Sequence, residues 1–328
     1  MKSLVERAKK GAAYLLQNCG GLSPNDRILI IHDPETRSAS DVVCEAARGA
    51  GFEPMRAEAP VAIMHGQEPP QSVAAAMATV TLIVGMTSKS MAHTQARIDA
   101  GAAGARYLSL PEYSLALLAD PGLIVDYRGT APRVRRVTDI FTKGRRARVT
   151  TDLGTDVTLN IEGRVGNCCS GIVTVGGDLG SPPDIESNVS PVEADSEGVL
   201  IVDGSIPYPG LGLLQDTVLF RVRGGRISDI ECKRNGALVK QLDGLFSLHD
   251  PAATRVLAEL GLGFNDKASL SGVMLSDEGA AGTGHFGFGS NSTVGGKNSV
   301  PFHLDCVFRK PTVVVDGFTI MMEGQLQC

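Results

Sequence analysis

The hydrophobic pattern changes period near residue 136, so one uniform layer of structure cannot accommodate the whole chain. Before that point, segments of helical period alternate with short apolar runs. Leu4, Val5, Ala8, Ala12, Leu15 and Leu16 share one face of an opening helix, and residues 28–31 form a continuous apolar run suited to a strand covered on both sides. Helices are expected at 40–50, stopped by Gly51, at 70–78 and at 93–100, with strands at 80–84 and 107–110. Beyond residue 136 the segments at 149–153, 157–161, 199–202, 219–222 and 227–231 alternate with period two, and glycine-containing turns separate them. Helices are expected again at 236–242 and 251–260, then strands at 302–308 and 312–315. The pattern predicts an α/β N-terminal domain over 1–138, built on a small open, mostly parallel sheet. A β-rich α+β metal-binding domain follows over 139–328.

With 328 residues, 43% hydrophobic and 20% charged, the chain has the composition of a globular protein large enough for two cores. A formal net charge of −5 argues against a nucleic-acid partner, which requires a basic face. The basic cluster Arg133, Arg135, Arg136, Lys143, Arg145, Arg146 and Arg148 reads as a solvated face near the domain boundary. No apolar run approaches the length of a membrane span, and MKSLVERAKK has no apolar signal core, so no membrane association and a cytoplasmic address are the expectations. Seven scattered cysteines without a CxxC pair read as free thiols. No GxGxxG or P-loop motif accompanies the α/β pattern, so a nucleotide is not indicated.

Metal-ligand residue types collect toward the C-terminus: Glu259 in LAELGLGFN, His285 in GTGHFGFGSN, and His303 and Asp305 in PFHLDC. In a strand, residues 303 and 305 project from one face and deliver an imidazole beside a carboxylate, while Cys306 points to the other face. Gly282, Gly284, Gly287 and Gly289 around His285 permit close backbone approach. Glu259, near the end of the helix expected at 251–260, would be a costly buried charge that a cation could offset. Glu193 lies among acids in SNVSPVEADSEG, where a solvated turn is the alternative. Lys297, with Ser290 and Asn291, is a candidate for binding an anionic substrate group, and a hairpin turn is the alternative there. His93 is a candidate proton shuttle; His32 and His65 read as structural, and His249 as a helix-start feature.

LAELGLGFN, GTGHFGFGSNSTVGGKN, PFHLDC and VVVDGFTIMMEG together resemble the M29 (aminopeptidase T/S-like) metallopeptidase family, and equally its relatives the 2,5-dihydroxypyridine 5,6-dioxygenases. The first resemblance implies two divalent ions held by Glu193, Glu259, His285, His303 and Asp305, and across both resemblances the expected cofactor is one or two ions of Zn, Mn, Co or Fe. Metal-bound water would then attack an amide or related C–N bond of a small substrate, with Glu193 or Glu259 accepting its proton. That family has a tyrosine shortly after the GTxH histidine, and here Ser292 occupies about that place. The dioxygenase resemblance implies a single iron(II) on two histidines and an aspartate, with His93 assisting. That branch carries histidine where this chain has Glu259 and lacks the counterpart of His285, a difference that favours hydrolysis. Both resemblances imply a homo-oligomer, a dimer or larger.

Overall fold

A computed structural model describes residues 3–328, which divide into two compact units. The first comprises residues 3–129 and 171–183, the second 130–170 and 184–328. The boundary expected at 138 falls inside one continuous helix, Tyr127–Lys143, and the division lies at Gly129/Thr130. The sequence pattern also hid the return of 171–183 to the first unit, because its strand is only two residues long.

In the first unit, β1 (Ile28–His32), β2 (Met55–Glu58), β3 (Leu82–Met86), β4 (Arg106–Ser109) and, after the return, β8 (Leu179–Gly180) form a parallel sheet in the order β2-β1-β3-β4-β8. Every residue of β1 and β3 is buried, which is why both read as unbroken apolar runs. Leu29, Ile31, Ile83 and Tyr107 pack with Val73 and Met77 of the helix Gln71–Met77 in one core. The sheet and helices agree with the expected α/β layout. The helix expected at 93–100 begins instead at Gln95, because Thr94 caps it by accepting from the Arg97 amide.

The second unit is a pair of antiparallel sheets. One contains β5 (Arg146–Thr150), β6 (Asp156–Asn160), β10 (Ser196–Val202), β13 (Val218–Arg223), β14 (Arg226–Glu231), β18 (Thr312–Val315), β19 (Phe318–Met322) and β20 (Gln325–Leu326), in the order β14-β13-β10-β6-β5-β18-β19-β20. The other contains β7 (Asn167–Cys169), β9 (Glu186–Val189), β11 (Ser205–Ile206), β12 (Gly212–Leu213), β15 (Leu257–Gly263), β16 (Thr283–Gly289) and β17 (His303–Arg309), in the order β12-β11-β17-β16-β15-β9-β7. Aromatic residues fill the space between them. Phe286 and Phe308 stack at 4.5 Å, and Phe288 lies 5.2 Å from Phe220 of the facing sheet and 5.9 Å from Phe246 of the helix Gly236–Phe246. Burying each such ring contributes about 1.5–3 kcal/mol. Among the described residues no helix is long and apolar enough to cross a membrane.

The helix expected at 251–260 stops at Thr254, and Glu259 lies on a strand. The reason is visible in Ala258-Glu259-Leu260-Gly261-Leu262-Gly263, an alternation of period two whose apolar members face the aromatic core. The glycine-rich GTGHFGFG around His285 is likewise a fully buried strand.

Candidate metal centre

Antiparallel pairing brings the polar faces of four adjacent strands into register. Gly261 pairs with His285, Gly287 with Asp305, Gly289 with His303, and Gly263 with Glu186. Directly paired residues share a face, as do residues two apart, so Glu186, Glu259, His285, His303 and Asp305 all project from one side of the sheet. The intervening glycines are what let the side chains lie across that face. A Cβ on Gly261 would overlap the His285 ring, and one on Gly287 would stand 2.8 Å from the His303 ring and 2.9 Å from the Glu259 Cβ.

Glu259 occupies the middle of the row. Its Oε1 is 3.8 Å from His285 Nε2 and its Oε2 is 3.4 Å from His303 Nε2. Beyond these, His285 Nε2 meets Glu186 Oε2 at 3.2 Å, and His303 Nε2 meets Asp305 Oδ1 at 3.2 Å. The His303 ring is oriented by its Nδ1, 2.8 Å from the Ser290 carbonyl, which turns Nε2 toward the carboxylates. Glu186 is oriented by Asn188, whose Nδ2 donates to Oε1 at 2.7 Å. Two donor groups result, Glu186–Glu259–His285 and Glu259–His303–Asp305, each with ligand atoms within 4.8 Å of one another.

The electrostatics of the row call for positive charge. Burial alone would raise the Glu259 carboxyl, but the adjacent His285 and His303 imidazoles hold it down to about 2. Burial raises Glu186 to about 7, with Glu259 and Asp305 adding to the rise against His285. Burial would lower both imidazoles, yet the surrounding carboxylates push His285 up to about 9 and His303 well above its ordinary range. Glu186 Oε2 and His285 Nδ1 are buried without a hydrogen-bond partner. Oxygen and imidazole donors with unpartnered atoms fit divalent cations, and the shared carboxylate fits two adjacent ones.

Four sequence candidates, Glu259, His285, His303 and Asp305, thus meet in one row, and Cys306 is buried on the opposite face. Glu193 does not join them. Its carboxylate is taken up by Arg164 at 2.5 Å, Asn291 Nδ2 at 3.0 Å and the Lys297 amide at 2.6 Å. These bonds outweigh burial and lower its pKa. Asn291 is spent in the same way, donating to Ser190 and accepting from the Asn298 amide, while Ser290 contributes its carbonyl to His303. The Lys297 side chain is exposed. His93 lies in the first unit, exposed, just before the cap of the helix Gln95–Ala102. Reasoning from sequence missed Glu186, and with it Asp184, Glu278 and Cys169. The signal was the Asp-x-Glu spacing in PPDIESN, which puts two carboxylates on one face of an extended segment.

The two-unit fold and the carboxylate–imidazole row define a class of metal-site protein with solved relatives. Over 100% of this chain and 99% of the other, the structure superposes on the 2,5-dihydroxypyridine dioxygenase from Pseudomonas putida KT2440, with a TM-score of 0.84 and 17% identity. Over 99% of this chain and 100% of the other, it superposes on wild-type AmpT from Thermus thermophilus, with a TM-score of 0.71 and 14% identity. No curated protein matches the sequence. The family model for 2,5-dihydroxypyridine 5,6-dioxygenase, NicX, matches residues 15–328, and the chain belongs to that enzyme family. The resemblance read from the C-terminal motifs is borne out.

Proposed function

We propose that the protein is a metal-dependent hydrolase that cuts an amide or related C–N bond in a small substrate, using two divalent cations side by side. The observation that carries this reading is the position of Glu259, whose two oxygens face two different donor groups. Each group buries a carboxylate–imidazole pair, and a cation in each would offset the cost of that burial. When bound, such a pair of cations would polarise a carbonyl oxygen and lower the pKa of water to generate the nucleophile.

The chain's own residues supply the rest. Glu186 and His285 hold one side of the row, His303 and Asp305 the other, and Glu259 spans them. The Ser290 carbonyl and Asn188 fix the orientation of His303 and Glu186, so little reorganisation accompanies binding. Glu278, at the end of the helix Met274–Glu278, belongs to none of the donor groups, and its Oε1 is buried and unpartnered. Burial and the neighbouring Asp305, Glu186, Asp184 and Glu259 push its pKa well above the ordinary carboxylate range, so it can hold and release a proton beside the row, a role Glu193 cannot fill because its carboxylate is committed to Arg164 and the Lys297 amide.

Family membership favours a second reading, oxygen-dependent opening of a hydroxylated N-heteroaromatic ring at a single iron(II). His285, His303 and Asp305 would supply the two-histidine, one-carboxylate set for it. The test is the chain freed of metal, then reloaded separately with Zn, Mn, Co or Fe(II) and assayed on small amides and on 2,5-dihydroxypyridine. At least two ions per chain and amide cleavage without oxygen are expected. One iron per chain with oxygen uptake on the dihydroxypyridine would replace the hydrolytic reading by the second.

A further inference from the structure

The polar row does not end at Glu186. On the next strand Cys169 pairs directly with Glu186, so its thiol projects from the same face. Asp184 stands two residues before Glu186, and one ligand atom from each of Cys169, Asp184 and Glu186 lies within 4.8 Å of the others. Asp184 is only 5% exposed, and its Oδ1 has no hydrogen-bond partner. Backbone closes over it: a Cβ on Gly279 would be 2.8 Å from that same oxygen. Glu186 Oε2, which meets the His285 ring at 3.2 Å, makes no hydrogen bond. Nothing in the hydrolytic reading uses Cys169 or Asp184.

We propose that Cys169, Asp184 and Glu186 form a third cation position at the end of the row remote from His303. A thiolate with two carboxylates selects a borderline-soft divalent ion such as Zn or Co over Mg or Ca, which prefer oxygen donors alone. Glu186 then links this position to the Glu186–Glu259–His285 group, as Glu259 links that group to Glu259–His303–Asp305. The arrangement offsets the negative charge that Asp184 and Glu186 would otherwise leave buried. This position rests on the two-cation reading only through the shared Glu186.

The test uses the full chain, stripped of metal by a chelator and titrated with cobalt(II). Bound ions are counted by equilibrium dialysis while the near-ultraviolet thiolate-to-cobalt charge-transfer absorption is followed. Three ions per chain are expected, with a charge-transfer band. Cys169→Ser should lower the count to two and abolish the band. Asp184→Asn should also lower the count to two, and it carries the test if circular dichroism shows that Cys169→Ser does not fold. A wild-type count of two overturns the third position and leaves the two-cation reading standing. A count of one or none overturns both. Three ions and an undiminished band in Cys169→Ser also overturn the third position.

Discussion

Both units bury carboxylates, and they treat them in opposite ways. In the first unit Asp26 accepts from Thr81 Oγ1 and the Ser23 amide, each at 2.7 Å, and pairs with Arg106 at 2.7 Å. Asp33 accepts from the Ser88 amide and hydroxyl, each at 2.6 Å, and from Thr36 and the Glu35 amide. Burial alone would raise both carboxyls, yet these donors hold them below the ordinary range. In the second unit Asp184 and Glu278 each retain a buried oxygen with no partner, and Glu186 Oε2 meets the His285 ring at 3.2 Å without making a hydrogen bond. A satisfied buried carboxylate fastens a loop, and an unsatisfied one costs stability that only a ligand returns. Glu193 makes the same point at short range: seven residues beyond Glu186, it is fully engaged and belongs to the scaffold.

The largest effect should follow from breaking the unsatisfied side at its centre. Glu259→Gln removes the charge between the two imidazoles. Altering residues that merely orient ligands weakens metal sites by about 10–100-fold, so cation affinity should fall by more than about 100-fold. Isothermal titration with Zn or Co measures it, and an unchanged affinity would place the cations elsewhere. Gly261→Ala comes next. Its new Cβ collides with the His285 ring, and overpacking of this kind costs about 1–3 kcal/mol and displaces a ligand. Gly49→Ala, at a helix position in the first unit with open space around it, should instead stabilise by about 0.5–1 kcal/mol. Urea unfolding separates the two, and equal effects would mean that the glycines of β15 have no role in the row.

Much of this contrast is legible in the sequence. The continuous apolar runs at β1 and β3 announce a sheet covered on both faces, and HLD announces two ligands on one strand face. Glu259 misled because Leu257, Leu260 and Gly261 also satisfy a helical reading, and only packing against Phe220 and Phe246 through the neighbouring β16 decides for the strand. Glu193 and Glu186 are indistinguishable as letters in one acidic stretch. What separates them is the distant Arg164, Asn291 and Lys297, whose arrival beside Glu193 is a product of tertiary structure. Cys169 is found only through its pairing with Glu186, a register that spans a chain return no local pattern reveals.

On the satisfied side, Asp33→Asn should cost about 1.5–3 kcal/mol at neutral pH, the range for hydrogen bonds to a charged group. The pH dependence has a definite sign. Because the folded carboxyl titrates below the unfolded one, its contribution is fully present above the unfolded pKa of about 4 and disappears as pH falls through the folded value. The cost of the substitution should therefore shrink on acidification below about pH 4. Chemical unfolding at a series of pH values checks this, and a cost independent of pH would mean that the charge of Asp33 does not matter.

The smallest expected effect has the opposite sign. Glu186→Gln, studied in chelator, replaces a buried acid whose Oε2 meets His285 Nε2 at 3.2 Å by a neutral amide of nearly the same shape, whose nitrogen can donate to that ring. Asn188 continues to donate to the retained carbonyl oxygen. Because the folded Glu186 carboxyl titrates at about 7, above its unfolded value, holding it ionised near neutrality costs stability that the neutral amide does not incur, so the substitution should stabilise by up to about 1 kcal/mol. With Zn or Co present the order should reverse, because the wild-type chain alone gains the full linkage from bound cations. Thermal melts of both proteins with chelator and with metal give the four values required. A variant less stable than wild type under both conditions would show that Glu186, like Asp33, is held for structure, and the distinction between the two units would no longer stand at this residue.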